Sequence, residues 1–475
     1  MLTPTKKNTF AGLSAAVVLA TGQLAGAAEP GELEARIAAL EAQLEALKTA
    51  VAAAKAEDGV ALVGPPEADT ASSDGAARAS ERLETLSIGQ ASLEETMALS
   101  HVTKRDDTWF RYGGYVQLDA LMTNYSEGKP ASPVIDDFLV PPLIPVAPVS
   151  GESDSYQSTN LHAKTSRFWF GTETETRAGR IRSHIELDFL LGNQGNERIS
   201  NSFAARIRHA FVDWEYAPGK SLMAGQNWST FFDVTALPDL LDFVGPIGTE
   251  FGRQPQLRWT SGGLQLALEN PSTRFDVEGG GTRLDDSEIA PDFIARYNGQ
   301  TGELRWTVAG IARQLSYEAR DGAVETDSDS TIGYGARLTG KWQLGADDLR
   351  FTASYGNALG RYLGLHSFND GYIASDGDIQ TIDSMGLGVS YLHSWSPAWR
   401  STFALSLSEA DNPSMEEFLG AGNLARAYRS AHANLWYTPA PGLQLGGELI
   451  YGYKELEDGR DGELHRLQLA VKYVF

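Results

Sequence analysis

The sequence of 475 residues contains no cysteine, and this absence excludes several kinds of functional site. Without thiolates the chain cannot build a zinc-thiolate centre, a thiol nucleophile, an iron–sulfur cluster or a disulfide. Cationic residues are also scarce, since 39 Lys and Arg stand against 62 Asp and Glu, for a formal net charge of −23. Nonspecific binding of nucleic acid requires a basic surface, so we expect no nucleic-acid partner.

The motifs of common enzyme classes are missing as well. The sequence has no Gly-x-Ser-x-Gly nucleophile elbow, no His-Glu-x-x-His motif and no phosphate-binding loop, and its eight histidines are scattered. Acidic runs at residues 325–330 and 458–463 could hold calcium weakly, but such runs are more often solvated loops. We therefore predict that the protein is not an enzyme and has neither a cofactor nor a metal site.

The first 28 residues are typical of a secretory signal peptide. Lys6 and Lys7 precede a weakly apolar run over residues 10–24, and small residues at 26–28 form a cleavage site before Glu29. No other stretch of about 18 uncharged apolar residues follows, so no transmembrane helix is predicted. We expect an exported chain without a helical membrane anchor.

Residues 29–56 predict a coiled coil. Their apolar positions recur in alternating steps of four and three from Leu33 to Ala54, although a lone amphipathic helix would show a similar pattern. About three heptads are marginal alone, so another element must hold the partners together. Residues 57–107 predict a linker rich in proline, glycine and serine, with a second short helix between Leu83 and Met97.

From Trp109 onward the hydrophobic period becomes two. Apolar side chains alternate with polar ones such as Arg111, Gln117 and Asp119, and the alternation recurs in about sixteen segments up to the C-terminus. Tight polar turns, such as the one at residues 261–263, alternate with long polar loops. This layout predicts an all-β fold, a transmembrane antiparallel β-barrel of about 16 strands over residues 108–475, with a water-filled lumen.

The C-terminus adds a signal of its own. Tyr473 and the terminal Phe475 resemble the C-terminal signature by which outer-membrane barrels are recognised for assembly. We therefore expect the protein in the outer membrane of a Gram-negative bacterium, with outer-membrane lipid and the barrel-assembly machinery as partners. The N-terminal coil would then lie in the periplasm, where peptidoglycan is a candidate partner.

Arginine dominates the polar face of the predicted strands. A guanidinium group offers a planar fork that binds a carboxylate through two hydrogen bonds, and it stays charged at any relevant pH. The alternative is that these arginines pair with strand carboxylates and form a structural network in the wall. The candidate solute-binding residues are Arg111, Arg167, Arg182, Arg206, Arg208, Arg253 and Arg258.

The segment at about residues 229–254 is too apolar for a solvated loop. We predict that it folds into the barrel as a constriction loop, although packing against a neighbouring subunit is the alternative. Its acidic residues would then face the arginine wall and create a field across the lumen, and they are Asp233, Asp239, Asp242 and Glu250. Arg253 and Arg258, near its end, are the predicted direct ligands of a bound carboxylate.

The whole layout resembles the DcaP-like family of trimeric outer-membrane porins. Residues 225–233 (GQNWSTFFD), 240–246 (LLDFVGP) and 253–258 (RQPQLR) are similar to the constriction-loop region of that family. The resemblance implies a homotrimer, a periplasmic coil and a preference for small anions, including dicarboxylates. We expect a porin for small anionic solutes. Two alternatives stay open: a barrel-anchored envelope interaction protein that acts through its coil or loops, and a sugar-selective channel.

Overall fold

The structure is a computed structural model that describes residues 101–105, 107–151, 153–191, 202–285, 287–321 and 324–475. The predicted signal peptide, coiled coil and second short helix lie outside these residues. No helix within the described part of the chain is long and apolar enough to cross a membrane.

In the described part of the chain sixteen antiparallel strands form a closed ring, which confirms the predicted antiparallel β-barrel. Each strand pairs with the next, and the last pairs with the first. The strands are β1 Thr108–Tyr125, β2 Tyr156–His162 continued by Arg167–Thr176, β3 Gly179–Asp188, β4 Arg206–Ala217, β5 Lys220–Trp228, β6 Arg253–Ser261, β7 Leu264–Glu269, β8 Asp292–Thr301, β9 Leu304–Asp321, β10 Val324–Leu344, β11 Asp347–Asn357, β12 Asp383–Ser396, β13 Trp399–Asp411, β14 Ala425–Ala440, β15 Leu443–Leu456 and β16 Asp461–Val474.

The barrel carries its polar side chains inside and its apolar side chains outside. In β1, Gln117 and Asp119 are buried while Val116 and Leu118 are exposed. Successive side chains of a strand point to opposite faces, so the alternation in the sequence becomes a polar interior and an apolar outer wall. This distribution is typical of a barrel that lipid surrounds.

Short turns join the strands at one end of the barrel, which we call the turn end. The beginning of β1 and the end of β16 lie at this end. Glycines with left-handed backbone support these turns, as at Gly219 (φ 68°) and Gly302 (φ 57°). The terminal Phe475 closes the ring here, because its N–H donates to the carbonyl of Gly114 at 3.0 Å and its carbonyl accepts from the same residue. Tyr473 points outward and is exposed. The long connections lie at the opposite end, which we call the loop end.

Two features differ from the sequence prediction. The predicted linker runs to residue 107, but His101–Arg105 forms a strand that pairs with the beginning of β1. The segments after β7 and β11, which the sequence predicts as long polar loops, form a four-stranded sheet, the loop sheet, from Thr273–Asp276, Thr282–Asp285, Gly371–Ile373 and Ile379–Thr381. Each of these strands has only three or four residues, too few to show a period in the sequence.

Loops fold inward and fill the loop end of the barrel. Side chains of three different loops meet in one apolar cluster with strand residues of the wall. Ile135 and Leu139 come from the β1–β2 loop, Ile247 from the β5–β6 connection, and Leu363 and Phe368 from the β11–β12 loop. The interior is therefore narrowed by packed loop side chains as well as lined by polar wall residues.

Candidate functional site

The connection between β5 and β6, residues 229–252, lies inside the barrel, and we call it the inserted segment. Its backbone bonds to inward-facing side chains of the far wall. The N–H of Leu241 donates to Glu448 of β15 at 2.6 Å, and the N–H of Gly248 donates to Ser406 of β13 at 2.6 Å. The segment therefore crosses the lumen from β5 to the opposite strands.

Two acidic residues of the inserted segment bind arginines of the wall. Asp233 lies 3.3 Å from the guanidinium of Arg296 on β8, and its carboxylate also accepts from Thr339 at 2.6 Å. Glu250 lies 3.0 Å from the Nε of Arg337 on β10. These ion pairs are buried at both partners. They hold the beginning and the end of the segment against the wall.

The other two acidic residues hold its middle. Asp239 accepts from the Nε of Arg400 on β13 at 2.7 Å. Asp242 accepts from the N–H of Leu139 at 2.8 Å, which ties the segment to the β1–β2 loop, and also from the N–H of Val244 at 3.3 Å. Because three of the four carboxylates are paired at contact distance, they neutralise wall arginines and do not leave a strong field across an open lumen.

Four arginines from three strands come together on the other side of the inserted segment. We call Arg167 of β2, Arg206 and Arg208 of β4, and Arg253 of β6 the arginine cluster. The Cζ atoms of the first three lie 5.9, 5.9 and 5.2 Å from the centroid of the Phe243 ring. The Cζ of Arg253 lies 4.5 Å from Trp228 and 5.3 Å from Phe251.

The arginine cluster outnumbers the carboxylates beside it. Arg208 binds Glu186 at 2.5 Å and Asp188 at 2.9 Å, and Arg206 binds Asp188 at 2.7 Å. The Nε of Arg167 lies 3.4 Å from Glu186. The Nη1 of Arg253 is buried and has no hydrogen-bond partner among the described residues. Two carboxylates among four guanidinium groups leave positive charge in excess, with an unused donor on Arg253.

A bulge in β4 brings part of this cluster to the interior. The register against β3 shifts between Glu186 and Leu187, so Arg208 and His209 are both buried although they are adjacent in sequence. A bulge adds an unpaired residue and redirects the side chains around it. The ring of His209 lies 6.1 Å from that of His184. Sequence reasoning missed both histidines, since nothing in a strand pattern marks a bulge of this kind.

The remaining predicted arginines lie elsewhere. Arg111 pairs with Glu173 at 3.3 Å and Arg182 with Asp213 at 2.5 Å, both toward the turn end. Arg258 donates to the carbonyl of Trp228 at 2.6 Å and to Thr230 at 2.9 Å, so it supports the beginning of the inserted segment. The structure therefore brings together four of the seven arginines and places the other three in supporting contacts.

A small cavity lies between the arginine cluster and the inserted segment. Its volume is about 40 Å³, and its lining includes Arg167, Arg208, Phe243, Arg400 and Lys472. Sequence reasoning missed Arg400 and Lys472. Both are cations near the turn end of their strands, and the alternation does point them inward. In the part of the chain that the structure describes, no group of three or more metal-ligating side chains could hold a metal ion.

Comparison with known proteins places this barrel in a family. The sequence model of the DcaP outer membrane protein family matches residues 104–475. The crystal structure of the outer membrane channel DcaP of Acinetobacter baumannii is similar, with a TM-score of 0.63 and 20% identity over 79% of this chain and 100% of that chain. At this identity the structural likeness concerns the fold.

Two other solved outer-membrane proteins show a weaker similarity. OmpT of Vibrio cholerae has a TM-score of 0.47 at 11% identity, covering 79% of this chain and 100% of its own. The anion-selective porin from Comamonas acidovorans has a TM-score of 0.47 at 10% identity, covering 78% of this chain and 100% of its own. No curated protein matches the sequence. The family match spans the whole strand ring, and the chain belongs to the DcaP outer membrane protein family.

Proposed function

We propose that this outer-membrane porin takes up small anionic solutes, carboxylates or dicarboxylates, which bind at the arginine cluster where the inserted segment narrows the lumen. Membership of the family identifies a channel of the outer membrane and not an enzyme. The nature of the solute is the part that we propose.

The observation that carries the proposal is the excess of guanidinium groups at the narrow part of the lumen. The buried Nη1 of Arg253 has no hydrogen-bond partner among the described residues. A carboxylate would meet it with a charge-assisted hydrogen bond, in surroundings where little water screens the charge. A wall with net positive charge also concentrates anions before they bind.

A second carboxylate would find cations on the cavity beside the arginine cluster. Lys472 lines it, and its Nζ lies 4.3 Å from the ring of Tyr115, while the Cζ of Arg167 lies 5.3 Å from the same ring. The two cations therefore flank one aromatic ring on the cavity wall. This arrangement supports binding of a solute that carries a negative charge at each end.

Single-channel recording in a planar bilayer tests the proposal. Under a salt gradient the reversal potential should show anion selectivity, and succinate should block the current. Arg253→Gln should raise the half-blocking concentration about tenfold, which corresponds to the loss of one charge-assisted hydrogen bond worth roughly 1.4 kcal/mol. Arg426→Gln is the matched control, because Arg426 is exposed at the loop end and pairs there with Glu455.

The outcomes separate the candidate functions. Cation selectivity without block by succinate would overturn the proposed solute class and leave the porin. Block by neutral sugars in place of succinate would favour the sugar-selective channel. Absence of any conductance would favour an interaction protein that acts through its coil or loops.

We extend the proposal to assembly and orientation. The predicted coil at residues 29–56 and the family resemblance support a homotrimer with its turn end and coil in the periplasm, where peptidoglycan is a candidate partner. Tyr473 and Phe475 are the proposed signal for the barrel-assembly machinery. A trimer should insert into a bilayer as a unit and close in three equal steps of current. A single closing step for each inserted particle would contradict this assembly.

A further inference from the structure

One aromatic side chain of the inserted segment is only half-buried. From Ser229 to Phe251 all residues are buried except Thr235 and Phe243, which are half-buried. Phe243 is therefore the least buried large side chain of this stretch. It also lines the 40 Å³ cavity beside the arginine cluster.

The ring of Phe243 occupies the place that faces three guanidinium groups. Arg208 is the nearest, at 5.2 Å, and Arg167 and Arg206 each lie 5.9 Å away. The face of an aromatic ring carries partial negative charge and attracts cations at these distances. The ring therefore stands where an anion would otherwise contact the arginine cluster.

The backbone on both sides of Phe243 is held in place. The carboxylate of Asp242 accepts from the N–H groups of Leu139, Val244 and Gly245 at 2.8, 3.3 and 3.2 Å. Gly245 has a φ of 96°, a left-handed conformation that glycine adopts without strain. Because the backbone is anchored, the ring would leave the guanidinium groups by rotation of its side chain, and it would then also give up its contacts with the rings of Phe138 and Phe251 at centroid distances of 5.7 and 6.2 Å.

The cavity is too small for a solute while the ring is in this position. Its 40 Å³ is far below the roughly 150 Å³ of a protein cavity that takes up benzene. Succinate is not smaller than benzene, so it does not fit in this cavity beside Arg167 and Arg208 while the ring is in this position.

We propose that the side chain of Phe243 gates the channel, and we call this side chain the shutter. At rest its ring covers the guanidinium groups, and it rotates aside when an anionic solute takes its place. The shutter extends the proposed function. Its preference for carboxylates rests on that function, whereas its control of the conductance does not rest on it. A carboxylate replaces the lost cation–π contacts with charge-assisted hydrogen bonds, which a neutral solute of the same size cannot form with the arginines.

The shutter has two measurable consequences. A ring that blocks the lumen at rest lowers the conductance for potassium chloride. A ring that competes for the guanidinium groups also lowers the apparent affinity for solutes, because only the fraction of channels with a displaced ring can bind. Removal of the ring should therefore raise the conductance and strengthen the block together.

Single-channel recording of Phe243→Ala tests both consequences. We expect a conductance in potassium chloride about twofold higher than that of the unmodified channel, and a half-blocking concentration of succinate about threefold lower. Phe243→Leu keeps apolar contact with the segment but lacks the aromatic face, and it should shift both values less in the same direction. Phe403→Ala is the matched control, since the Phe403 ring points outward from β13 and is 49% exposed.

Each outcome bears on one of the two proposals. Unchanged conductance in both Phe243 variants would overturn the shutter. Weaker block at unchanged conductance would also overturn it, because the ring would then be a contact for the solute and not its competitor. If Phe243→Ala raises the conductance while Arg253→Gln leaves the block unchanged, the shutter stands and the proposed solute class fails. If Arg253→Gln weakens the block and Phe243→Ala changes neither value, the proposed solute class stands and the shutter fails.

Discussion

Arg208 is the residue on which the arginine cluster depends structurally. Its side chain is 1% exposed, and it contacts two carboxylates, Glu186 and Asp188, that are fully buried. Removal of one member of a buried ion network leaves the remaining charges desolvated and unpaired, which costs far more than the net value of the pair. A group of the proposed anion site is thus also needed to keep its own wall folded.

Substitution of Arg208 should therefore destabilise the barrel strongly. We expect Arg208→Met to lower the free energy of unfolding by about 3–5 kcal/mol, because two buried carboxylates lose a partner. Arg426→Met, which removes the exposed pair with Glu455, should cost about 1 kcal/mol or less. Denaturant titration in lipid vesicles, followed by tryptophan fluorescence, measures both values. Equal losses for the two variants would show that burial does not govern the contribution.

The sequence showed that arginine is the main inward-facing cation, but not which arginines would meet. Alternation points Arg182 and Arg206 inward equally well, yet Arg182 pairs with Asp213 and Arg206 joins the cluster. Arg208 and His209 are both buried because of the bulge, which strict alternation forbids. Positions of bulges depend on pairing between strands, and that information is not local in the sequence.

At the scale of elements, local patterns predicted the strands well and the contacts between loops poorly. The ring strands are long enough to show several alternations, and closure demands an even number. Loop contacts have no such regularity, since Asp239 meets Arg400 across 161 positions of the chain. The apolar content of the inserted segment indicated burial, but its partners on β8, β10 and β13 follow only from the closed ring.

The loop sheet contains a carboxyl group that should respond to pH. Asp276 lies on its first strand, and burial raises its pKa from 3.8 to about 6, although a hydrogen bond from Asn369 at 2.7 Å opposes the shift. The neutral form is therefore favoured in the folded loop. Stability of the loop sheet is highest below pH 4 and is lost as the pH rises through 6, because the buried group must then ionise.

Hydrogen exchange checks this pH dependence. Amide protection in residues 273–285 and 371–381, corrected for intrinsic exchange rates, should fall by up to about a hundredfold between pH 4 and pH 7, because the pKa of Asp276 is raised from 3.8 to about 6 and each pH unit of that difference corresponds to a factor of ten. Asp276→Asn removes the ionisation and keeps the size of the side chain, so its protection should not change with pH. Equal pH dependence in both proteins would assign the effect to another group.

At the scale of the whole molecule, the barrel inverts the usual arrangement of a water-soluble protein. Its buried set includes ion pairs such as Asp292 with Arg313, while Phe403 and Leu405 are exposed on the outer wall. This inversion is stable only if the outer wall meets hydrocarbon, where exposed apolar groups cost nothing and every backbone group must bond within the ring. The same alternation in water would leave a large apolar surface unburied.

Two leucines of nearly equal exposure provide a test of which medium surrounds the outer wall of the barrel. Leu405, in the middle of β13, is 61% exposed, and Leu284, in the loop sheet, is 62% exposed. If lipid surrounds the wall and water surrounds the loop sheet, Leu405→Arg should destabilise the barrel by about 2–4 kcal/mol, and Leu284→Arg should change the stability by less than about 0.5 kcal/mol. Denaturant titration in vesicles of matched composition gives both values. Equal effects would mean that exposure alone decides the cost and would contradict a lipid-facing wall, whereas the predicted difference would support hydrocarbon around Leu405 and water around Leu284.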